Sequence, residues 1–545
     1  MNDKFDLTIP RSNDDRVLLA LDKDCPVDVL YTMARYDTER DVMLAVAYNA
    51  NVTPEIINVV LAKLSMTAEE LQVKIEQYRK ENVMNGLRST FCPIPWNHVS
   101  TNPEGTVRAC CQILDTNQYG TANIVKDDGT TLTGADDLTQ HRNAPLWKSL
   151  RSQFIKGEKP ELCKLCWDEE SNGVNSHRQR TSKLFPAIIS NAVKNTNLDG
   201  TIKHIDFPIE YWDLRFGNNC NLKCRTCSPV SSNSWYNDYI ALASEEKLVE
   251  TFKPYITIEK MDNGKTKITD TYNWYDDSKM WQTIIDGLDH TTRFYFTGGE
   301  PTINQKHKEL LKIIIDRGLA KNINLDYNTN VAGIPSDMFN LWANFKTVNL
   351  GMSVDGIYEH FEYIRNPGKW SAAERTLQKI DSAHNLTNIT AAFSVTVSTL
   401  NVLHILDMQW WMKEQNWKRI IPALTLHTLY KPYMYNIQYL PEEMKFYITK
   451  RYTQFINDIV RCFPDDVAFI SVVRKQCSSV INYMNAETHA RHTWNEFVEF
   501  SDRLDVIRGE SWRESLSELV TLEEYFHTTR KQAPIIKLQA TEKKI

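Results

Sequence analysis

The sequence predicts an α/β protein whose centre is a parallel sheet of six βα units, with helical regions at both ends and a small irregular segment ahead of the sheet. Three observations carry this. From about residue 209 to 430, short β-type runs alternate with helix-period segments, the pattern of strand–helix crossovers and hence of parallel pairing. Residues 16 to 65 and those beyond 436 repeat apolar side chains at helical spacing, which argues amphipathic helices. Between the N-terminal helices and the sheet, Pro93, Pro95, Pro103, Gly105, Gly120, Gly129 and Gly134 break residues 91 to 170 into turns and hairpin-like pieces.

Taken in order, the N-terminal runs Val17–Ala20, Val27–Leu30, Val42–Ala47 and Ile56–Ala62 are separated by Asp- and Asn-rich breaks. Asp24-Cys25-Pro26-Val27 and Asn51-Val52-Thr53-Pro54 each open a helix with Pro in or near its first turn, where the missing N–H costs little. This stretch is similar to variant leucine-rich helical repeats, and two units are too few to stand as a solenoid. Residues 181 to 208 read as a linker. The strands are expected at Tyr211–Phe216, Arg293–Thr297, Ile323–Asn328, Val348–Val354, Ala391–Val397 and Ile420–Thr428, with helices at 304 to 317, 371 to 384 and 402 to 415. Tyr255–Ile258 and Lys265–Thr269 flank Asp262-Asn263-Gly264, a hairpin inserted between the first two strands. Beyond 436, helical patterns run through Glu442–Val460, Val472–Met484 and Trp494–Tyr525, and the last dozen residues, ending Glu542-Lys543-Lys544-Ile545, are expected to fray.

Composition excludes several classes. At 545 residues, with 42% hydrophobic and 24% charged residues, the chain can bury a large core and is neither disordered nor fibrous. A net charge of -6 with no long basic run argues against nucleic acid as partner. Neither a basic-then-apolar start nor an apolar run of about 18 residues occurs, so no membrane is predicted and a soluble, cytoplasmic protein is expected. Eleven cysteines is an odd number for a disulfide framework. Cys25, Cys462 and Cys477 stand alone among apolar residues, where a thiol is a small core hydrophobe.

The remaining eight form two groups. Cys220, Cys224 and Cys227 follow the first strand as Cys-x3-Cys-x2-Cys. Structural zinc needs four ligands, and the next cysteine in sequence is Cys462. A cubane cluster on three thiolates keeps one iron open to N and O donors. Phe296-Thr297-Gly298-Gly299-Glu300-Pro301 follows the second strand, Thr329-Asn330 the third, and Ser353-Val354-Asp355-Gly356 the fourth, with Arg365 after it. All fall at C-terminal strand ends, where α/β proteins bind ligands.

This constellation resembles the radical SAM superfamily. The resemblance implies a partial (βα)6 TIM-like barrel in which Cys220, Cys224 and Cys227 hold a [4Fe-4S] cluster whose fourth iron chelates S-adenosylmethionine. It further implies that Gly298, Gly299 and Glu300 receive the methionine amino group, that Asn330, Ser353 and Asp355 reach the ribose, and that Arg365 meets the carboxylate. Thr226 departs from the pattern, standing where an aromatic residue is common. Trp235 and Tyr236 are therefore the nearby candidates to meet adenine.

Cys92 and Cys110, as Cys-x12-Gly-x4-Cys, with Cys163-Lys164-Leu165-Cys166, are similar to the SPASM and twitch auxiliary-cluster domains. That resemblance implies a second, auxiliary [4Fe-4S] cluster, although further cysteines of the fuller pattern are absent and the module precedes the sheet instead of following it. Structural zinc would suit the same four thiolates, and Cys111 rivals Cys110 as a ligand. The domains then read as a helical accessory domain at 1–85, a SPASM/twitch-like domain at 86–180, a radical SAM core at 205–435 and a helical region at 436–545. The activity implied is reductive cleavage of S-adenosylmethionine to a 5'-deoxyadenosyl radical that abstracts hydrogen from a peptide or protein, fed by a reductase or flavodoxin-type electron donor. Small-molecule or carbohydrate modification, and a non-catalytic iron-sulfur binding protein, are the alternatives. His98, Tyr327 and Tyr363 invite a catalytic role, but such residues on strands and loops usually pack.

Overall fold

In the computed structural model, described over residues 16–17, 19–20, 25–49, 51–74, 89–113, 123–171, 175–276, 278–383, 387–486 and 492–532, an eight-stranded sheet forms the centre. Asp24 and the C-terminal dozen lie outside the described residues. The chain divides into two compact units, Met1–Trp96 with Lys148–Asp206, and Asn97–Trp147 with Phe207–Ile545.

The first unit carries helices Val27–Tyr36, Arg40–Tyr48 and Pro54–Leu64, which bury Leu30, Met33, Val42, Val46, Ile56 and Val60 against one another. Pro54 opens the last of these, and the Thr53 side chain accepts a hydrogen bond from the Ile56 N–H at 3.4 Å, satisfying one orphan donor of the first turn. The expected linker at 181 to 208 instead contains the end of one helix and the whole of another. His177–Leu184 is started by a Ser176/Gln179 capping box, and Ile188–Asn195 buries Ile188, Ile189 and Ala192. Polar composition hid a short amphipathic helix whose apolar stripe is only three residues.

In the second unit the strands are β1 (His98–Thr101), β2 (Val107–Arg108), β3 (Tyr211–Leu214), β4 (Ile256–Lys260), β5 (Thr266–Asp270), β6 (Arg293–Phe296), β7 (Asn324–Thr329), β8 (Thr347–Ser353), β9 (Ile389–Val397) and β10 (Ile420–Thr428). The sheet runs β10-β9-β8-β7-β6-β3-β1-β2, parallel throughout except for the β1–β2 pair. All six expected strands are present, in sequence order across the sheet. Residues 98 to 108, within the stretch expected to form turns and hairpin-like pieces, form the β1–β2 hairpin and place β1 beside β3, with His98 opposite Tyr211 and Ser100 opposite Asp213.

Alternation along β7 and β8 decides the two faces. Leu325, Tyr327, Val348, Leu350 and Met352 are buried, whereas Asp326, Asn328, Asn349 and Ser353 occupy the other, partly open face. Successive side chains point to opposite faces of a strand, and Asn328 and Ser353 of this polar face line a cavity. The inserted hairpin is β4–β5, with Gly264 at φ +75 in its turn. Beyond the sheet come helices Glu442–Cys462 and Val467–Asn485; the stretch expected to be helical from Trp494 to Tyr525 is broken into Trp494–Arg508, Trp512–Ser515 and Ser517–Gln532. Gly509, in the left-handed region at φ +65, ends the first of these, a backbone conformation that costs glycine little. Among the described residues no helix is long and apolar enough to cross a membrane.

Candidate functional site

A cavity of about 620 Å³ opens at the C-terminal ends of the parallel strands. Every strand from β3 and β6 to β10 contributes: Arg215 follows β3, Gly298–Glu300 follow β6, Asn328–Asn330 end β7, Ser353 ends β8, Thr396 lies in β9 and Leu429 follows β10. Cys220, Cys224 and Cys227 line the same cavity.

The cysteine loop has no regular structure of its own and is held by hydrogen bonds. The Cys220 carbonyl accepts from Ser234 Oγ at 2.7 Å, the Leu222 carbonyl from Ser232 Oγ at 2.5 Å and the Cys224 carbonyl from Trp235 Nε1 at 2.9 Å. Lys223 N–H donates to the Asn366 carbonyl at 2.7 Å and Arg225 N–H to the Ile364 carbonyl at 2.9 Å. The thiols influence one another. Burial pushes Cys220 up to about 12, with Cys224 adding to the effect. The hydrogen bond shared by Cys224 and Cys227 lowers the first and raises the second.

Gly298-Gly299-Glu300 is stitched onto this loop. Glu300 N–H donates to the Asn219 carbonyl at 2.9 Å, and a Cβ on Gly299 would stand 2.3 Å from that oxygen. With Gly299 at φ +56 and Gly298 at φ +80, only glycine fits both the turn and the close approach. The Glu300 carboxylate is buried and engaged. Its Oε1 accepts from Thr302 N–H at 3.1 Å, Thr302 Oγ1 at 2.7 Å and Thr329 Oγ1 at 2.9 Å, and its Oε2 from Asn330 N–H at 2.7 Å. Burial still raises its pKa, against the lowering effect of these donors. Glu300 therefore ties the β6 and β7 ends together, and the task expected of it, receiving an ammonium, competes with four internal donors.

Asn330 turns its Nδ2 toward Cys220 Sγ at 3.8 Å and donates to Asn221 Oδ1 at 2.8 Å. Ser353 lines the cavity, whereas Asp355 does not: its Oδ2 accepts from Arg365 Nη2 at 2.7 Å and its Oδ1 from Thr396 N–H at 2.7 Å. Asp355 is thus a positioning residue for Arg365. Arg365 lines the cavity, reaches Cys224 Sγ at 3.8 Å through Nη1, and has no partner for Nε among the described residues. Burial works against its charge, yet Asp355 and the thiols of Cys224 and Cys227 hold its pKa above the ordinary value.

Trp235 and Tyr236, the residues expected to meet adenine, are spent elsewhere. Trp235 bonds the Cys224 carbonyl and lies under the Arg508 guanidinium, 4.6 Å away. Tyr236 Oη accepts from Asn218 Nδ2 at 2.7 Å and donates to Asp270 Oδ2 at 2.9 Å. His98 packs on the Tyr211 ring, Tyr327 Oη pairs with His307 Nε2 at 2.8 Å, and Tyr363 Oη donates to Asp505 Oδ1 at 3.0 Å. None of the three lines the cavity.

The second cysteine group falls in both units. Cys92, Cys163 and Cys166 belong to the first, where burial, then the neighbouring thiols, pushes Cys92 well above its ordinary value and Cys163 up to about 12. Cys110 and Cys111 belong to the second, beside Arg108.

Sequence reasoning missed what holds the cysteine loop from outside. Arg225, between Cys224 and Cys227, is fully buried, donates to Asp505 Oδ1 at 2.5 Å and Glu510 Oε2 at 2.6 Å, and lies 3.6 Å from the centre of the Tyr363 ring. Arg508 donates to the Lys223 carbonyl at 2.8 Å and Asp238 Oδ2 at 2.7 Å. No local motif signals an ion pair across 280 residues.

Fold and site together define an α/β protein with a thiol-lined cavity at the C-terminal rim of a mostly parallel sheet. No protein-family model matches the chain, and no curated protein matches it. Solved structures similar to it include native anSMEcpe with bound AdoMet, at 18% identity and a TM-score of 0.30 over 48% of this chain and 62% of that one. Native anSMEcpe with bound AdoMet and Cp18Cys peptide gives 16% and 0.29, over 48% and 60%. Streptococcus suis SuiB bound to precursor peptide SuiA gives 11% and 0.29, over 67% and 70%. The chain thus spans less than two thirds of anSMEcpe, and likeness this slight carries no functional argument.

Proposed function

We propose that this chain is a radical SAM enzyme in which Cys220, Cys224 and Cys227 hold a [4Fe-4S] cluster with one open iron. The observation that carries the reading is convergence: the three thiols, Gly298–Glu300, Asn330, Ser353 and Arg365 line one cavity at the ends of successive parallel strands. The donor set suits a cluster better than a lone ion. No fourth thiol and no imidazole lines the cavity among the described residues, and the three sulfurs do not all lie within 4.8 Å of one another. Tetrahedral zinc, with Zn–S near about 2.3 Å, would draw them closer than that.

When bound, the cluster supplies one-electron cleavage of S-adenosylmethionine to a 5'-deoxyadenosyl radical, which takes hydrogen from the substrate. The chain's residues bind and orient. Arg365, fixed by Asp355, offers N–H groups to a carboxylate beside Cys224. Asn330 presents its amide next to Cys220, and Ser353 a hydroxyl to the cavity. Asp355, which holds Arg365 and does not itself line the cavity, acts through Arg365.

On this reading the sheet curls as a partial (βα)6 barrel, and Cys92, Cys110, Cys163 and Cys166 carry an auxiliary [4Fe-4S] cluster in a SPASM/twitch-like domain at 86–180. The substrate is a peptide or protein, the electron donor a reductase or flavodoxin-type protein, and the compartment the cytoplasm. The sequence resemblance supports these assignments. Anaerobic reconstitution with S-adenosylmethionine and dithionite tests the activity. 5'-Deoxyadenosine is expected, in a yield that rises with added peptide substrate, whereas its complete absence would leave only a binding module. The metal inventory tests the second group: about eight irons and eight sulfides per chain are expected, against about four irons plus one zinc for a structural site.

A further inference from the structure

One side chain of the cavity wall makes contacts that the ribose role expected of it does not use. Asn330, 8% exposed, ties the end of β7 to the cysteine loop through both ends of its amide. Its Oδ1 accepts from the Ala332 N–H at 2.9 Å, and its Nδ2 donates to Asn221 Oδ1 at 2.8 Å and to Cys220 Sγ at 3.8 Å. Asn221 closes the ring by donating from Nδ2 to the Ala332 carbonyl at 3.2 Å. A backbone N–H can only donate and a carbonyl can only accept. Ala332 therefore fixes which way both amides face, and the NH2 group of Asn330 is the end turned to Cys220.

The ring is anchored beneath as well. Asn330 N–H donates to Glu300 Oε2 at 2.7 Å, and the turn beyond it runs through Val331, a buried β-branched residue at φ +52. That conformation is unfavourable for valine, and it persists where the surrounding structure over-determines it. Both N–H bonds of the Asn330 amide are thus engaged, one by Asn221 and one by sulfur. Cys220 Sγ also accepts from the Leu222 N–H at 3.4 Å, so this sulfur has one donor from the main chain and one from a side chain. A donor aimed at a cluster thiolate favours the form with more negative charge on sulfur, which is the reduced form, and so raises the reduction potential.

We propose that Asn330 is a positioning residue for the cluster and not a ribose ligand: its amide donates to the Cys220 sulfur, orients that ligand and raises the potential at which the cluster accepts an electron. The presence of the cluster rests on the functional reading above; the hydrogen-bonded ring does not.

The test reads a potential and needs no turnover. Full-length protein is reconstituted anaerobically, and the midpoint potential of the triplet cluster is measured without S-adenosylmethionine, by redox titration followed by electron paramagnetic resonance. The signal of the triplet cluster is the one lost in Cys224→Ala. Asn330→Leu, close in volume but without a donor, should accept its electron about tenfold less readily, a midpoint about 59 mV more negative for a one-electron couple. Asn330→Asp, which keeps an acceptor for the Ala332 N–H but sets negative charge beside the sulfur, should shift further in the same direction. The potential is read on the loaded fraction alone, so lower occupancy does not imitate the shift, and should one variant fail to load, the other decides. A triplet cluster whose potential is unchanged in every variant that loads would overturn the proposal and leave the functional reading standing; weaker S-adenosylmethionine binding in those variants would then return Asn330 to the ribose. Loss of iron in both variants would also overturn it, leaving Asn330 an anchor of the loop alone. If no signal of the unaltered protein depends on the triplet, the functional reading falls and the proposal with it.

Discussion

The sequence marks Glu300 as an acceptor for an ammonium, yet four donors of its own chain reach its carboxylate; motif residues do structural work that a motif cannot show. Gly299 is similar: what demands glycine is the Asn219 carbonyl, 2.3 Å from where a Cβ would stand. Gly299→Ala should destabilise the protein by about 1–3 kcal/mol and lower 5'-deoxyadenosine yield at least tenfold, read by thermal unfolding and product assay. His307 gives a pH prediction. Burial lowers its pKa to about 3, below the value near 6.5 of an unfolded chain. The unfolded state therefore binds the extra proton between about pH 6.5 and 3, and stability is lost as pH falls through that window. The loss attributable to His307 should be about 2 kcal/mol between pH 6.5 and 5. Comparing unfolding free energies of the unaltered protein and His307→Gln at the two pH values isolates it; an unchanged pH slope in the variant would refute it.

Among elements, the helix Trp494–Arg508 and the turn after it do the most for the cysteine loop, because Asp505 and Glu510 are the carboxylates facing buried Arg225. Removing both leaves a buried guanidinium unpaired, a loss of about 3–5 kcal/mol. Asp505→Asn combined with Glu510→Gln should therefore lower the melting temperature. On the proposed reading it should also reduce iron bound at the triplet and shift the electron paramagnetic resonance of the reduced cluster, and the spectral shift is what a change in global stability alone would not produce. Normal iron and an unaltered spectrum would show that the clamp is only structural. The strands of the sheet are the elements most legible in sequence, since short β-type runs alternating with helical segments mark β3 and β6 to β10. β1 is not legible as part of the sheet, because four residues without alternating polarity are placed there by pairing with β2 on one side and β3 on the other.

At the scale of the whole molecule, residues far apart in sequence build one site: the cavity wall draws on 102 to 123 as well as on 215 to 429, and its outer support on 505 to 510. A chain truncated after Leu440 should fail to hold iron at Cys220, Cys224 and Cys227 even if it is soluble, as iron-to-protein ratios after anaerobic reconstitution would show. Full iron occupancy in the truncated chain would contradict the supporting role given to the C-terminal helices. Alone, the sequence determined the six-unit α/β pattern, the three-thiol loop after the first of those strands and the Gly-Gly-Glu turn after the second, because local spacing and periodicity encode which groups sit at strand ends. Only the tertiary structure decided which of those groups face the cavity. Asp355 and Glu300 were drawn into internal hydrogen bonds, Arg108 on β2 and Glu104 in the turn before it were brought to the cavity wall, and Arg225 was paired across the chain. Burial favours polar groups that have a partner, and which partner each one meets is set by the packed chain as a whole.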